Sequence, residues 1–293
     1  MNAKPFIKWA GGKTQLLKQI DDLLPIEIKE NKIETYIEPF VGGGAMLFHI
    51  LQKYKIKKAI INDVNKELMN CYSCIKEDVQ NVIRILKKIE TEYLNSTDRD
   101  KFYLKIRHEY NETKLEQKFD FKKCSEFIFL NKTCFNGLYR VNKKGLFNVP
   151  HGKYKNPLIC DEENLRSCSD LLKKVNIHFG DYRKVINNVD EKDFIYFDPP
   201  YRPLLKNKSF VSYSEFGFND EDQEILAANF TKCNSKKCLL LLSNSDPKNI
   251  DESDNFFDDL YKDFNIQRIS ANRMINSNGS KRGKIFELII KNY

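Results

Sequence analysis

No run of about 18 apolar residues occurs in this chain, so a membrane-spanning helix is not expected. The amino terminus carries no apolar stretch of the kind that directs secretion. Acids are missing altogether from residues 127–160. Tryptophan occurs once, and the four histidines, His49, His108, His151 and His178, fall in unrelated contexts that form no metal-binding set. Cysteine is present eight times but lacks clustering. Cys71 and Cys74 have the Cys-x-x-Cys spacing without a second pair nearby, so scattered reduced thiols are expected rather than zinc. No internal repeat or long low-complexity linker is visible. These absences leave an intracellular, cytoplasmic, reduced protein without a metal as the expectation.

What the chain does contain is a sizeable apolar fraction and an excess of positive charge. Its 293 residues are 41% hydrophobic, enough for one substantial core and a smaller attached domain. Lys and Arg total 49 against 41 Asp and Glu, a net charge of +8. That balance suits a nucleic-acid partner without requiring one.

The most informative stretch is Lys192-Asp193-Phe194-Ile195-Tyr196-Phe197-Asp198-Pro199-Pro200-Tyr201. Its apolar, partly β-branched run reads as a buried strand. Pro200 has no ladder N–H and biases Pro199 away from the helical region, so the strand stops there. Asp198 and Tyr201 are thereby presented at the carboxyl end of a strand, where open α/β sheets bind ligands. A rigid turn after a strand would also explain the prolines. The functional alternative is a pocket for a planar amine, in which Asp198 and a nearby carbonyl accept two N–H bonds and Tyr201 covers the ring.

Two glycine turns precede this stretch. Lys8-Trp9-Ala10-Gly11-Gly12-Lys13-Thr14 leads into a predicted helix over 15–24 that Pro25 ends. Gly-Gly-Lys-Thr resembles the tail of a phosphate-binding P-loop, but Lys8 stands where that motif needs its first glycine. Trp9 is either a packing anchor or a ligand contact, and Lys8 and Lys13 are either solvated or directed at an anion. In Glu38-Pro39-Phe40-Val41-Gly42-Gly43-Gly44, a short strand enters a glycine turn and then an apolar helix. A second strand, 58–63, ends in Asp63 about 20 residues later, the spacing at which an acid binds ribose hydroxyls. Turn, spacing and acid favour an adenosine-containing cofactor, with nicotinamide and methyl donors both open.

Residues 65–75, 81–94, 98–110 and 124–134 read as helices. In the acid-free segment, Lys132, Arg140, Lys143, Lys144, Lys153 and Lys155 are interleaved with Phe135, Tyr139, Phe147 and Tyr154. Asn136-Gly137, Gly145 and Gly152 break it into loops or a hairpin. A basic, aromatic, loop-rich segment suits duplex DNA, with lysines at phosphates and an arginine or asparagine at base edges. A solvated surface loop is the alternative. A helix over 161–172 then leads to a third acid-ended strand, Asn176-Ile177-His178-Phe179-Gly180-Asp181.

Beyond Tyr201, a polar loop contains Ser209-Phe210-Val211-Ser212-Tyr213 and either closes over a target or crosses the surface. Asn219 or Asp220 caps a helix through Phe230, a buried strand spans 236–243, and an exposed acidic helix is expected within 251–263. Segments 264–269 and 284–290 suit a terminal antiparallel pair, with Arg273, Lys281, Arg282 and Lys284 between them offering a second phosphate contact. The order fits one mainly parallel α/β domain interrupted by a helical, basic insert.

The ordered set of motifs resembles the Dam-like, D12 class of adenine-N6 DNA methyltransferases. The matches are Lys8-Trp9-Ala10-Gly11-Gly12-Lys13, Glu38-Pro39-Phe40-Val41-Gly42-Gly43-Gly44, Asp63, Asn131 and Phe135-Asn136-Gly137-Leu138-Tyr139-Arg140. They continue through Gly145-Leu146-Phe147-Asn148-Val149-Pro150, Asp181, Asp198-Pro199-Pro200-Tyr201, Phe210, Tyr213, Asp222-Gln223 and Ser243-Asn244. The resemblance implies a Rossmann-like methyltransferase sheet from residues 1–64 and 165–293, with a target-recognition domain at 65–164. It implies S-adenosylmethionine as donor, S-adenosylhomocysteine as product, and double-stranded DNA as the partner. The protein is expected as a monomer that can serve a restriction-modification system without a stable complex.

On the donor side the resemblance implies Trp9, Ala10, Lys13, Phe40, Gly42, Gly44, Asp63, Asp181 and Asp198. On the DNA side it implies Lys8 at the first base pair of GATC and Arg140 at the guanine of the last. Leu138, Pro150 and Tyr154 match residues around the inner pairs. Asn136 lies beside the flipped base and Phe135 is the intercalating ring, here without the hydroxyl of the tyrosine found in some relatives. Ser212 and Tyr213 complete the DNA-side set. Catalysis falls to Asp198, Pro199 and Tyr201: the adenine flips out and stacks on Tyr201, while Asp198 and the Pro199 carbonyl accept its amino hydrogens. Cytosine-N4 methylation and a noncatalytic DNA-binding protein are the competing readings. Asp rather than Ser before Pro-Pro argues against the first, and the joint presence of Asp63, Asp198, Tyr201 and the glycine turn against the second.

Overall fold

The apolar run before Asp198 becomes strand β4, Asp193–Phe197, every residue of which is buried. The computed structural model describes residues 2–115, 119–202, 218–272 and 284–293. Its other strands are β1 (Thr35–Glu38), β2 (Lys58–Asp63), β3 (Val175–Phe179), β5 (Leu239–Ser245), β6 (Asn265–Asn272) and β7 (Lys284–Lys291). They form one sheet in the order β3-β2-β1-β4-β5-β7-β6. The first five of these run parallel, with Ile37 opposite both Ile60 of β2 and Ile195 of β4. The expected terminal pair is present, and its second strand inserts antiparallel between β5 and β6.

Successive strand residues point to opposite faces. Tyr36, Phe194, Tyr196, Leu241 and Ile289 enter one core, together with the helices on the amino-terminal side of the chain. Ile37, Ile195, Phe197, Leu240, Leu242, Leu288 and Ile290 enter a second core, covered by the helix Asp220–Ser235. Burial on both faces is why these strands read as unbroken apolar runs rather than alternating ones.

Between β2 and β3 come the helices Lys66–Glu77, Val79–Asn95, Arg99–Glu112, Phe121–Thr133 and Glu162–Leu172. They begin at Asn65, Asp78, Asp98, Asp120 and Asp161, each accepting through its side chain a backbone N–H three residues on. Asn219 opens Asp220–Ser235 with a reciprocal capping box from Asp222, and that helix continues past Phe230.

The expected exposed helix in 251–263 is corrected. Only Phe256–Leu260 is helical, and Phe257 and Tyr261 are buried in the second core. Of the acids there, Asp258 pairs with Lys248 at 3.1 Å and Arg268 at 2.8 Å. All eight cysteines are buried free thiols. Among the described residues, His, Cys, Asp and Glu side chains form no metal-binding group, and no helix is long and apolar enough to cross a membrane.

Candidate active site

The chain leaves β1 toward β2 and leaves β4 toward β5, so a crevice opens between these strands at their carboxyl ends. Glu38, Asp63 and Asp198 stand at or just past the ends of β1, β2 and β4.

Asp198 Oδ1 accepts Lys13 Nζ at 2.7 Å and Ser243 Oγ at 3.0 Å. Ser243, on β5, also shares a hydrogen bond of 2.9 Å with the Tyr196 hydroxyl of β4. Lys13 is buried, donates to the Gly11 carbonyl at 2.8 Å, and lies 4.6 Å from the Tyr201 ring centre. Burial pushes the Asp198 carboxyl above its ordinary range, while the Lys13 ammonium and the Ser243 hydroxyl act against that rise. The Tyr201 hydroxyl donates to Glu287 Oε2 on β7 at 2.6 Å. The Pro200 carbonyl accepts from Gln223 Nε2 at 3.1 Å, and Asn244 Nδ2 donates to Gln223 Oε1 at 3.2 Å. At the end of β1, buried Glu38 accepts the Tyr36 hydroxyl at 2.8 Å, and burial pushes its carboxyl well up.

Asp63 ties the glycine turn to the next helix. Its Oδ2 accepts the Gly42 N–H at 3.0 Å and its Oδ1 the Asn65 N–H at 2.9 Å. Burial raises this carboxyl, and the backbone N–H bonds oppose the rise. With Gly42, Asn65 and Val64 N–H groups on it, the carboxylate keeps acceptor capacity for a further hydroxyl. The helix Ala45–Lys53 begins at Gly44, whose φ is 76°. A Cβ there would stand 2.5 Å from the Tyr72 hydroxyl oxygen, and one at Gly42 would stand 2.8 Å from Trp9 Cδ1. The turn must be glycine because the protein's own rings pack against it. Phe40 lies 4.8 Å from Tyr182 and meets Phe218 edge-on at 5.9 Å. A carboxylate with acceptor capacity, an aromatic wall and a helix start fit an adenosyl group.

The expected DNA-side residues gather around a loop closed by isolated bridges between Cys134 and His151 and between Val141 and Phe147. Arg140 donates from Nε to Asn148 Oδ1 at 2.7 Å and from Nη2 to the Asn148 carbonyl at 3.2 Å. Asn136 adopts a left-handed φ of 57°, and its N–H donates to the Tyr154 hydroxyl at 2.9 Å. Neighbouring Phe135 is 52% exposed, unusual for a phenylalanine with a packed core nearby. Lys8 Nζ lies 5.7 Å from the Tyr154 ring centre. Asn131 clamps the Lys8 backbone, accepting its N–H at 2.8 Å and donating to its carbonyl at 2.9 Å and to the Gly137 carbonyl at 3.0 Å.

Trp9 joins the two regions, packing on the glycine turn and stacking on Tyr139 at 5.4 Å. Its role as a packing anchor is therefore direct. Ala10 is exposed beside it. Lys13, expected on the donor side together with Asp198, places its ammonium on Asp198 and over the Tyr201 ring. Asp181 is bound by the Arg183 guanidinium at 2.5 Å, which holds its carboxyl below the ordinary range. Pro199 is buried, Leu138 half-buried and Pro150 exposed. Ser212 and Tyr213 lie outside the described residues, as do Arg273, Lys281, Arg282 and the side chain of Lys284. Sequence reasoning missed Glu287 and assigned no role to Ser243, Gln223 or Asn244. The signal for Glu287 was available: one acid within the apolar run Phe286-Glu287-Leu288-Ile289-Ile290.

A mostly parallel sheet of this order, with an adenosyl-compatible crevice, defines a Rossmann-like methyltransferase. Residues 9–275 match the family described as D12 class N6 adenine-specific DNA methyltransferase. The chain is 52% identical over 296 residues to the type II methyltransferase M.MjaIII of Methanocaldococcus jannaschii, covering 100% of both chains. It is 40% identical to the type II methyltransferase M1.LlaDCHI of Lactococcus lactis, covering 100% of this chain and 96% of that one. It is 32% identical to the DNA adenine methylase of Vibrio cholerae, covering 98% and 95%. The chain belongs to the D12 family and is an S-adenosylmethionine-dependent DNA adenine-N6 methyltransferase.

Proposed function

We propose that Asp198, Pro199 and Tyr201 form the pocket for the target adenine, that Asp63 and the glycine turn hold the donor, and that residues 65–164 select GATC. The observation that carries this reading is the Asp198 corner: a carboxylate held by Lys13 and Ser243, beside a tyrosine ring anchored at its far end. The adenine amine is a poor nucleophile because its lone pair is delocalised, so the protein's task is orientation. S-adenosylmethionine supplies an electrophilic methyl when bound.

The Asp198 carboxylate and the Pro199 carbonyl accept the two amino hydrogens, which favours a pyramidal nitrogen and aims its lone pair. Tyr201 supplies a stacking face worth roughly 1–3 kcal/mol per base. Lys13 favours the ionised form of Asp198, the stronger acceptor for its share of that pair of bonds. The proton released after transfer leaves through Asp198 to water.

For sequence choice, Asn148 orients Arg140 and leaves its other N–H groups free to meet a guanine edge. Lys8 and Phe135 stand on the same clamp of Asn131, Gly137 and Tyr154. Two relatives are designated type II methyltransferases, in keeping with the proposed role in a restriction-modification system; the protein is proposed to act as a monomer without a stable complex.

Methylation of a plasmid followed by base-resolution mapping of modified adenines tests the proposal. All modification is expected within GATC, and modified adenines elsewhere would refute that specificity. Asp198→Ala is expected to abolish turnover while retaining DNA binding, and Arg140→Ala to relax the last position by roughly 1–3 kcal/mol.

A further inference from the structure

We infer that Glu287 is a positioning residue for methyl transfer, fixing the Tyr201 ring and strengthening its interaction with the positive charge that develops on the target base. The inference rests on the proposed adenine pocket at Asp198 and Tyr201.

Tyr201 follows two prolines at the end of β4 and has no strand of its own to hold its ring. Gln223 holds the preceding carbonyl, but it does not reach the side chain. Glu287 does: its Oε2 accepts the Tyr201 hydroxyl at 2.6 Å, the length of a charge-assisted O–H···O bond. Its backbone is fixed on both sides, opposite Ser245 of β5 and Ile269 of β6. A residue in the middle of three paired strands is a rigid mount for a ring that must lie flat against a base.

The ring face already attracts a cation. The Lys13 ammonium lies 4.6 Å from its centre, within cation–π range. Methyl transfer creates a second one. As the N6–CH3 bond forms and the S–CH3 bond breaks, the sulfonium's positive charge passes to the amino nitrogen, which then loses a proton. A phenol that donates to a carboxylate carries more negative charge on its ring than a phenol in water. It therefore favours the cationic, methylated amine over the neutral base. An interaction that strengthens during reaction raises kcat rather than binding. Among the described residues, Lys13 and Asp198 are the charged groups that face Glu287 across this corner; burial raises the Glu287 carboxyl, and the Lys13 ammonium and the Tyr201 hydroxyl oppose that rise.

Glu287→Gln, Tyr201→Phe, the double variant and Asp198→Asn, each in the full chain, test this with an adenine-containing duplex. Glu287→Gln is expected to lower kcat about 10-fold, with KM for DNA and donor within about twofold of wild type. Glu287→Gln keeps an acceptor oxygen and removes only its charge, whereas Tyr201→Phe removes the bond altogether and should cost at least as much. The double variant should fall no further than Tyr201→Phe, because without the hydroxyl the charge at position 287 has no bond to act through. If Glu287→Gln fails to fold, Tyr201→Phe still reads the bond through the same split between kcat and KM. Wild-type kcat in a folded Glu287→Gln protein, a loss confined to KM, or additive losses in the double variant would overturn the inference. Wild-type turnover by Asp198→Asn would instead overturn the underlying pocket assignment.

Discussion

Replacing Lys13 by Met probes the ion pair at the centre of the site. The ammonium lies 2.7 Å from Asp198 Oδ1, with side-chain exposures of only 3% and 18%. At that separation and an effective dielectric of about 20, the attraction is about 6 kcal/mol. Desolvation of both groups offsets part of it, and Ser243 still donates to the same oxygen in the variant. Leaving the acid unpaired should therefore cost about 3 kcal/mol of stability. The effect on activity has a definite sign. Burial raises the Asp198 carboxyl and Lys13 lowers it, so losing Lys13 moves it further up. In the proposed pocket the ionised Asp198 is the better acceptor for its one amino hydrogen, so the acid limb of kcat moves to higher pH. The variant should lose more activity toward acid pH than toward alkaline pH. Labelled methyl transfer to an adenine duplex at saturating donor, followed as a function of pH, reads this directly, with denaturant titration reporting stability. An unmoved acid limb together with a raised KM for donor would refute the reasoning and show Lys13 acting on the donor alone.

Glu126 carries a second pH effect. Its carboxylate is almost wholly buried, Oε1 meets the Lys122 ammonium at 3.4 Å, and burial pushes its carboxyl up to about 7 against that pull. The folded protein keeps a proton that the unfolded chain has lost, so stability falls as pH rises from about 4.5 to 7, by about 3 kcal/mol. Glu126→Gln should flatten that slope in denaturant titrations, and an unchanged slope would count against a proton held there. Gly44→Ala places a Cβ 2.5 Å from the Tyr72 hydroxyl oxygen in a left-handed backbone. It should cost roughly 1–2 kcal/mol from backbone strain alone and weaken donor binding by calorimetry, with Tyr72→Phe in the same chain restoring part of the loss. Asn131→Ala leaves the Lys8 N–H and the carbonyls of Lys8 and Gly137 without their partner. It should cost about 2–4 kcal/mol and reduce discrimination at the first base pair, measured on single-substitution duplexes. Loss of stability without loss of discrimination would show that the clamp does not position Lys8.

The elements that the sequence announced share one property: their signal is local. Prolines end β4, an acid or asparagine opens each helix of the insert, and doubly buried strands show as apolar runs. The acidic segment 251–263 misled because its charges suggested solvent, whereas Phe257 and Tyr261 decide its burial and Arg268 and Lys248 meet Asp258. Trp9 stayed ambiguous in sequence because its neighbours, Tyr139 and the glycine turn, come from two other parts of the chain.

By itself, the sequence determined the strand ends, the glycine turn, the Asp63 spacing and the placing of Asp198 and Tyr201 at the end of β4. Each follows from backbone chemistry within a few residues: a missing N–H, an absent Cβ or a capping side chain. Only the tertiary structure decided what those residues face. Lys13 reaches Asp198 from the amino terminus, Ser243 comes from the neighbouring strand, and Glu287 meets Tyr201 from 86 residues away. Such partners depend on sheet order and strand insertion. A buried carboxylate's charge state depends in turn on those partners, because inside the crevice water no longer screens them.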